Sequence, residues 1–277
     1  MSIARVNGVS LYYELSGDGE PLVLVHGSWG DHHNWDPVIG ALAESFQVLA
    51  YDRRGHSRSE RPAGQGSVLE DADDLAALIE EVGLAPAHVA GNSFGAITTL
   101  RAATRSPNAF RSLIAHEPPL FPLLVGTEFE AALGAVRPRV DAVAKLLRDG
   151  EHEDAAHLFV DTIAFGEGAW DEQLTPEMRE TFVRNAPTYL DELDDPDALQ
   201  FDLDALAPFD RPALLTSGTE SAPFFSPVVD RVASRLSRAQ RVTIEGADHV
   251  PHISVPERYV ALINTFIANQ TQDVAGN

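Results

Sequence analysis

The apolar positions of the chain fall into short runs typical of β-strands and longer stretches with helical spacing. The run Pro21–Val25 is apolar throughout, as expected for a strand buried on both faces of a sheet. Asn7-Gly8 is a dipeptide typical of a tight hairpin turn between the first two runs. Strands are predicted at residues 3–6, 9–15, 21–25, 46–51, 88–90, 113–115, 213–216 and 242–245.

Helical spacing of apolar residues appears between most of these strands. The predicted helices cover residues 35–44, 68–82, 94–104, 228–236 and 257–268. Strands that alternate with helices form βαβ units, which build a mainly parallel, twisted sheet covered by helices on both faces. The pattern therefore predicts an α/β fold with an eight-stranded sheet.

One long stretch interrupts this alternation. Between residues 118 and 208 no strand pattern appears, and helical patterns occur at 127–148, 154–163 and 176–193. A connection of this length inside a compact domain is usually functional. We therefore expect a core domain of residues 1–117 and 209–277, into which residues 118–208 are inserted as a helical cap over the carboxyl ends of the strands.

Composition and charge limit the classes of function. The 277 residues are 44% apolar and 22% charged, as in an ordinary globular protein, and they carry a formal net charge of −22. So acidic a surface disfavours nucleic-acid backbones and anionic membranes as partners. The absence of cysteine excludes disulfides, zinc–thiolate sites and thiol catalysis. Because neither a signal-peptide pattern nor a membrane-spanning apolar run is present, we expect a soluble cytoplasmic protein.

A serine in the sequence context of an activated nucleophile follows the fifth predicted strand. The run Gly91–Gly95 reads Gly-Asn-Ser-Phe-Gly, fits G-x-S-x-G, and lies directly between a strand and a helix. On so sharp a turn the hydroxyl of Ser93 stands exposed above the sheet, and the flanking glycines avoid side-chain clashes. The helix N-terminus also places N–H groups beside a developing oxyanion. An ordinary Gly/Ser turn is the alternative, and the strand–turn–helix context makes it the weaker interpretation.

A serine hydroxyl needs a general base, and the candidate is His249, just after the last predicted strand. The chain resembles the α/β-hydrolase superfamily over nearly its whole length, through motifs in a fixed order. These motifs are His26-Gly27, the Asp-Arg-Arg-Gly-His-Ser-Arg-Ser turn at 52–59, the Gly91–Gly95 elbow and the late Asp248-His249. The resemblance implies the α/β-hydrolase fold with His249 as the base, and it implies neither a cofactor nor a metal.

The resemblance also implies an oxyanion hole built from two backbone N–H groups. One belongs to the residue after the nucleophile, Phe94, and the other to the loop after His26-Gly27, at Ser28 or alternatively at Trp29. Because any residue other than proline supplies a backbone N–H, the sequence does not separate these two. An apolar substrate pocket is expected in this family, and its candidate lining residues are Trp29, Leu120, Trp170, Phe182 and Tyr189.

The carboxylate that supports the base departs from the family's usual position. Most members carry an aspartate after the seventh strand in the pattern G-x-x-D, but here Gly218–Ser221 ends in serine. A second carboxylate, Glu117, follows the sixth strand in His-Glu-Pro-Pro, where an unpaired buried charge would be costly. Zearalenone lactonases carry their acid in a similar His-Glu-Pro-Pro segment. We therefore predict Glu117 as the acid, with Glu220 as the reserve.

Together these residues predict a Ser-His-Glu hydrolase that cleaves a carboxylic ester or lactone through an acyl-enzyme. Epoxide hydrolases and haloalkane dehalogenases of the superfamily carry an aspartate in place of Ser93, so their reactions are disfavoured. Carbon–carbon bond hydrolysis of vinylogous diketones shares the Gly-Asn-Ser elbow and is the enzymatic alternative. A non-catalytic ligand-binding receptor of the same fold is the alternative from another class. The expected partner is a small, apolar ester or lactone.

Overall fold

An eight-stranded sheet runs through the computed structural model, which describes the backbone of residues 2–275 and the side chains of residues 2–270. The strands are β1 (Ser2–Val6), β2 (Val9–Ser16), β3 (Glu20–Val25), β4 (Phe46–Tyr51), β5 (Ala87–Asn92), β6 (Phe110–His116), β7 (Ala213–Gly218) and β8 (Ala239–Ile244). Their spatial order is β1-β2-β4-β3-β5-β6-β7-β8. The strand β2 pairs antiparallel with β1 and β4, and the remaining pairs are parallel.

Helices cover both faces of this sheet. Those within residues 2–275 are α1 (Asp36–Leu42), α2 (Val68–Glu81), α3 (Phe94–Arg105), α4 (Glu130–Asp149), α5 (His152–Phe159), α6 (Ala169–Glu172), α7 (Pro176–Asp194), α8 (Phe225–Ala233), α9 (Pro251–Ser254) and α10 (Pro256–Ala275). The predicted mainly parallel sheet of eight strands between two helical layers is confirmed. None of these helices is both long and apolar enough to cross a membrane.

The central strand β3 shows how the apolar run is used. Its residues Leu22 and Leu24 point into a core cluster with α1 and α10, whereas Val23 and Val25 point into a cluster with α2, α3 and α8. All four side chains are fully buried. Each such burial is worth about 1.5–3 kcal/mol. An apolar side chain is therefore favoured at every one of these positions.

The predicted elements differ from the observed ones mainly at their ends. The strand β5 continues through Gly91 and Asn92, which carry no apolar side chain but pair with β6 in register. The helix predicted at 154–163 is instead α5 followed by a wider π-helical turn, Val160–Ala164. The helices α6 and α9 have four residues each, too few to show a helical period in the sequence.

The long segment between β6 and β7 carries α4 to α7, where the sequence predicts helices and no strand. The helix α4 is capped at its C-terminus by Gly150, whose φ of +84° lies in the left-handed region that favours glycine. A third hydrophobic cluster joins these helices to the loop after β3, because Trp29 from that loop lies among their apolar side chains. The helices α4 to α7 are thus packed against the rest of the fold through a residue of the loop after β3.

A buried imidazole–carboxylate pair anchors the loop that follows β3. His32 Nδ1 lies 2.6 Å from Asp52 Oδ1, which also accepts from the backbone N–H of His32 at 2.9 Å. Burial by itself would lower the pKa of His32, but the hydrogen bond and charge of Asp52 outweigh it and raise the pKa. Because the folded-state pKa is raised, this pair stabilises the fold fully below about pH 6.5, the ordinary histidine value. The contribution is lost as the pH rises through the raised pKa.

Replacing His32 with glutamine should remove this pH-dependent contribution. We expect the free energy of unfolding of the unsubstituted protein to fall more between pH 6 and pH 9 than that of His32→Gln, as measured by urea unfolding at a series of pH values. His152→Gln is the matched control, because His152 begins α5 and forms no ion pair among the described side chains. Equal pH dependence in His32→Gln and the unsubstituted protein would contradict the role of this pair.

Candidate active site

The candidate nucleophile Ser93 occupies the sharp turn between β5 and α3. Its backbone has φ +55° and ψ −123°, a conformation that costs energy for a residue with a Cβ and is typical of functional turns. A Cβ on Gly91 would lie 2.3 Å from the Gly95 carbonyl oxygen, and one on Gly95 would lie 2.3 Å from that of Val25. Both flanking positions therefore exclude any side chain, as the G-x-S-x-G pattern predicts.

The candidate acid and base are hydrogen-bonded to each other. His249 Nδ1 lies 2.7 Å from Glu117 Oε2, and Glu117 Oε1 accepts from the Gly218 N–H at 2.8 Å. Glu117 follows the end of β6 and is fully buried, with φ +47°. An ionised carboxylate only accepts hydrogen bonds, so the proton between the two residues belongs to Nδ1. The other ring nitrogen, Nε2, is then free to take a proton from a nucleophile.

The surroundings of Glu117 keep it charged. Burial by itself would raise the pKa of Glu117, but the hydrogen bond from His249 and the other favourable interactions with neighbouring side chains together outweigh burial and hold the pKa below its ordinary value. The adjacent His116 is buried, and burial lowers the pKa of His116 to about 4, so this ring is neutral at pH 7. Glu117 therefore presents a negative charge to His249 at neutral pH.

The reserve acid, Glu220, lies apart from this pair. Its side chain is exposed, and its carboxylate accepts from the Thr219 hydroxyl at 3.3 Å. The structure thus brings Glu117 to His249 and does not bring Glu220 there. The catalytic roles of the two carboxylates stay predictions.

The loop that carries His249 is held against the nucleophile turn. Asn92 Nδ2, next to Ser93, donates to the carbonyl oxygen of His249 at 2.7 Å. The His249 ring also stacks on Phe225, with centroids 4.4 Å apart and planes at 19°. Within the described side chains, the hydroxyl of Ser93 and Nε2 of His249 form no hydrogen bond with each other. Such contacts are often long before substrate binds and shorten in the complex.

The backbone N–H groups predicted for the oxyanion hole are unpaired. The N–H of Phe94 is the first of α3, and the first turn of a helix leaves its N–H groups without partners in the helix. No hydrogen bond among the described residues uses the N–H of Phe94, Ser28 or Trp29. Trp29 has φ +66° and a fully buried side chain, whereas the Ser28 hydroxyl donates to Glu192. The choice between Ser28 and Trp29 stays open at this point.

The residues predicted to line the substrate pocket lie in two hydrophobic clusters. The cluster of the inserted helices contains Trp29, Trp170, Phe182 and Tyr189. In it the Trp29 ring stacks on Phe159, with centroids 4.7 Å apart. Leu120 is fully buried in the core cluster that also contains α2 and α3. All five candidate side chains are buried and help to hold the insertion and the core together, and their contact with a substrate stays a prediction.

Sequence reasoning missed a buried ionic cluster beside Phe94. Arg53 donates from Nη1 to Asp71 of α2 and from Nη2 to Glu192 of α7, at 2.6 Å in each case. Its guanidinium carbon lies 4.8 Å from the centroid of the Phe94 ring. Burial raises the pKa of Asp71 to about 6, although the charge of Arg53 opposes this rise. The only sequence signal was Arg53 itself, within the turn at 52–59, since its partners lie far along the chain.

One group of residues within the described chain has the composition of a metal site. Ligand atoms of Asp31, His32 and Asp52 all lie within 4.8 Å of one another. Each residue is already bonded within the protein, since Asp52 pairs with His32 and Asp31 Oδ2 accepts from the Ser57 hydroxyl at 2.7 Å. A cation would have to replace these bonds. The expectation that the site needs no metal stays a prediction.

The chain matches the sequence model of one protein family over most of its length. Residues 22–262 match the sequence model of the Alpha/beta hydrolase family. The chain belongs to this family. The order of its strands and the position of the Ser93 turn after β5 are then those of the alpha/beta hydrolase fold, as the sequence motifs predict.

Individual relatives of this alpha/beta hydrolase are named as hydrolases of several kinds. A protein named as a carbamate hydrolase, RutD, from Azorhizobium caulinodans is 40% identical over 113 residues, which are 41% of this chain and 43% of that protein. The matched segment thus spans less than half of that relative.

Solved structures extend the likeness over nearly the whole chain. A thermophilic esterase from Thermogutta terrifontis is 23% identical, with a TM-score of 0.75 over 94% of this chain and 94% of the other. Est816, described as an N-acyl homoserine lactone degrading enzyme, is 20% identical, with a TM-score of 0.76 over 96% of this chain and 100% of the other. At these identities the likeness shows the fold alone.

Replacing the second glycine of the turn should destabilise this alpha/beta hydrolase. In Gly95→Ala the new methyl group would lie against the carbonyl oxygens of Val25 and His26, which are backbone atoms of β3 and its end. We expect the free energy of unfolding to fall by about 1–3 kcal/mol in urea titrations. The matched control is Gly134→Ala in α4, where nothing lies within 4 Å of a new Cβ. In that control we expect the free energy of unfolding to rise by about 0.5–1 kcal/mol. A Gly95→Ala protein that is no less stable than the control would refute this packing argument.

Proposed function

We propose that this alpha/beta hydrolase is a serine hydrolase that cleaves a carboxylic ester or lactone. Ser93 is the nucleophile, His249 the general base and Glu117 the acid that supports the base. The observation that carries the proposal is the 2.7 Å hydrogen bond between the buried Glu117 carboxylate and His249 Nδ1. This bond joins a charged acceptor to an imidazole beside the strained Ser93 turn, which is the arrangement that activates a serine.

In the proposed reaction, His249 Nε2 takes the proton of Ser93 as its Oγ bonds to the substrate carbonyl carbon. The carbonyl oxygen becomes an oxyanion, which the N–H of Phe94 and one N–H of the 28–29 loop stabilise. The carbon–oxygen bond to the leaving group breaks, and His249 returns the proton to that oxygen. Water, deprotonated by His249, then bonds to the acyl carbon. The bond from that carbon to Ser93 Oγ breaks as His249 returns the proton to Oγ, which releases the acid and restores the serine. Glu117 stays ionised throughout and stabilises the imidazolium.

The inserted helices act, in this proposal, as a cap of residues 118–208 on a core of residues 1–117 and 209–277. The support is the aromatic cluster around Trp29, which joins these helices to the loop beside the site. Apolar side chains dominate this cluster, and Trp29, Leu120, Trp170, Phe182 and Tyr189 remain the candidates for contact with a substrate. Such a lining favours an apolar acyl or lactone substrate.

The choice of an ester or lactone has separate support. Ser93 forms an acyl-enzyme, which suits an activated carbonyl, and the His-Glu-Pro-Pro segment at Glu117 is similar to that of zearalenone lactonases. Esterases and a lactone-degrading enzyme are among the proteins of similar fold. Because fold alone does not set function, turnover must decide.

A substrate screen tests the proposed reaction. Aryl and alkyl esters of graded length, small and macrocyclic lactones and a vinylogous diketone would be offered to the purified protein, with hydrolysis followed by pH-stat titration and mass spectrometry. We expect steady turnover of an ester or lactone and covalent labelling by a fluorophosphonate. Ser93→Ala should abolish both, because it removes the attacking oxygen. Turnover of the diketone alone would favour carbon–carbon hydrolysis, and binding without turnover would favour a receptor.

Matched carboxylate variants test the acid. Glu117→Gln keeps the shape of the side chain but loses the charge that stabilises the imidazolium, so kcat should fall by about 10³- to 10⁴-fold. Glu220→Gln is the control and should keep kcat within about twofold, because its carboxylate is exposed and apart from His249. Stopped-flow or steady-state kinetics on the best substrate measures kcat of both variants. The reverse result would transfer the role to Glu220.

A further inference from the structure

The loop after β3 is bound to one face of α7. Asn185 Nδ2 donates to the carbonyl oxygens of Trp29 at 3.2 Å and Gly30 at 2.8 Å. Roughly two helical turns further along α7, the Glu192 carboxylate accepts from the hydroxyl of Ser28. Residues at this spacing project from the same face of a helix. Three consecutive loop residues are therefore held by α7.

Glu192 reaches the same loop by a second route. Its Oε1 accepts from Arg53 Nη2 at 2.6 Å, and that same nitrogen donates to the carbonyl oxygen of Gly27 at 3.3 Å. The side chains of Arg53 and Glu192 are 1% and 8% exposed, so water competes little for these bonds. His26 Nδ1 also contacts the Gly27 oxygen, at 2.8 Å.

Fixing the Gly27 carbonyl also fixes the direction of the Ser28 N–H. The two groups belong to one planar trans peptide, in which the carbonyl oxygen and the following N–H point in opposite directions. The direction of the Trp29 N–H is set in the same way by the carbonyl of Ser28, which belongs to the same peptide. Among the described residues, no group donates a hydrogen bond to that carbonyl. The contacts thus restrain the N–H of Ser28 more closely than that of Trp29.

We propose that Glu192 of α7 is a positioning residue that aims the Ser28 N–H into the oxyanion hole, with Asn185 holding the rest of the loop. This inference rests on the proposed function and deepens it, because it selects Ser28 as the second oxyanion donor. It also makes the inserted helices part of the catalytic geometry. A shift of α7 would move the donor, so correct seating of the insertion and stabilisation of the transition state are coupled.

The kinetic test compares two neighbouring carboxylates of α7. Glu192→Gln keeps the side-chain volume but loses the charge and one of the two acceptor oxygens, so it can no longer accept from both Arg53 and Ser28. We therefore expect kcat to fall about 10- to 100-fold with KM within about twofold. Such a split is the mark of an interaction made in the transition state. Asp191→Asn is the matched control, since Asp191 bonds to Arg61 at 2.9 Å and does not contact the loop. It should keep kcat and KM.

A second measurement needs no substrate. Hydrogen exchange followed by mass spectrometry should show faster exchange of the amides of residues 27–31 in Glu192→Gln and no change there in Asp191→Asn. If the unsubstituted protein hydrolyses nothing, the proposed function fails while this exchange still tests whether Glu192 restrains the loop. Unchanged exchange, or an unchanged kcat in an active enzyme, would overturn the proposal.

Ser28→Ala covers the case in which Glu192→Gln does not fold. It removes only the hydroxyl that donates to Glu192 and keeps the backbone N–H. We expect a loss in kcat in the same direction but smaller, because the route through Arg53 and the Gly27 carbonyl persists. A variant with the kcat of the unsubstituted enzyme and unchanged loop exchange would count against a positioning role for α7.

Discussion

The buried negative charge of Glu117 is the constraint on which the candidate site depends. A carboxylate with no exposure must be paired, because removing an unpaired charge from water is very costly. Its two oxygens bind the N–H of Gly218 at the end of β7 and Nδ1 of His249 beyond β8. Three parallel strands thus converge on one charge. The same pairing orients the imidazole and leaves Nε2 for proton transfer.

A second constraint is that core and insertion share one loop. Trp29 places its ring among the aromatic side chains of the inserted helices, while its backbone stays in the loop after β3. Stacked aromatic pairs contribute about 0.5–1.5 kcal/mol each beyond simple burial. Asn185 and Glu192 of α7 bind the same loop through hydrogen bonds. The insertion is thus attached at the loop that carries the candidate oxyanion donors Ser28 and Trp29.

Family membership and site geometry contribute different parts of the functional argument. The match over residues 22–262 establishes the alpha/beta hydrolase family, whose members host many reactions on one fold. The reaction must therefore be argued from the side chains. Here the strained serine turn, the free helix N-terminus at Phe94 and the ionised Glu117 beside His249 all favour attack on a carbonyl.

The sequence by itself determined the sheet and the serine turn, and it named Glu117, with Glu220 in reserve, as the candidate carboxylate for His249. Apolar periodicity is local, and the glycines beside Ser93 and the carboxylate at a buried strand end have immediate steric and electrostatic reasons. Only the tertiary structure decided that Trp29 packs within the insertion and that Arg53 lies between Asp71 and Glu192. These contacts join residues far apart in the chain, and no local pattern records which distant side chain will meet a buried charge.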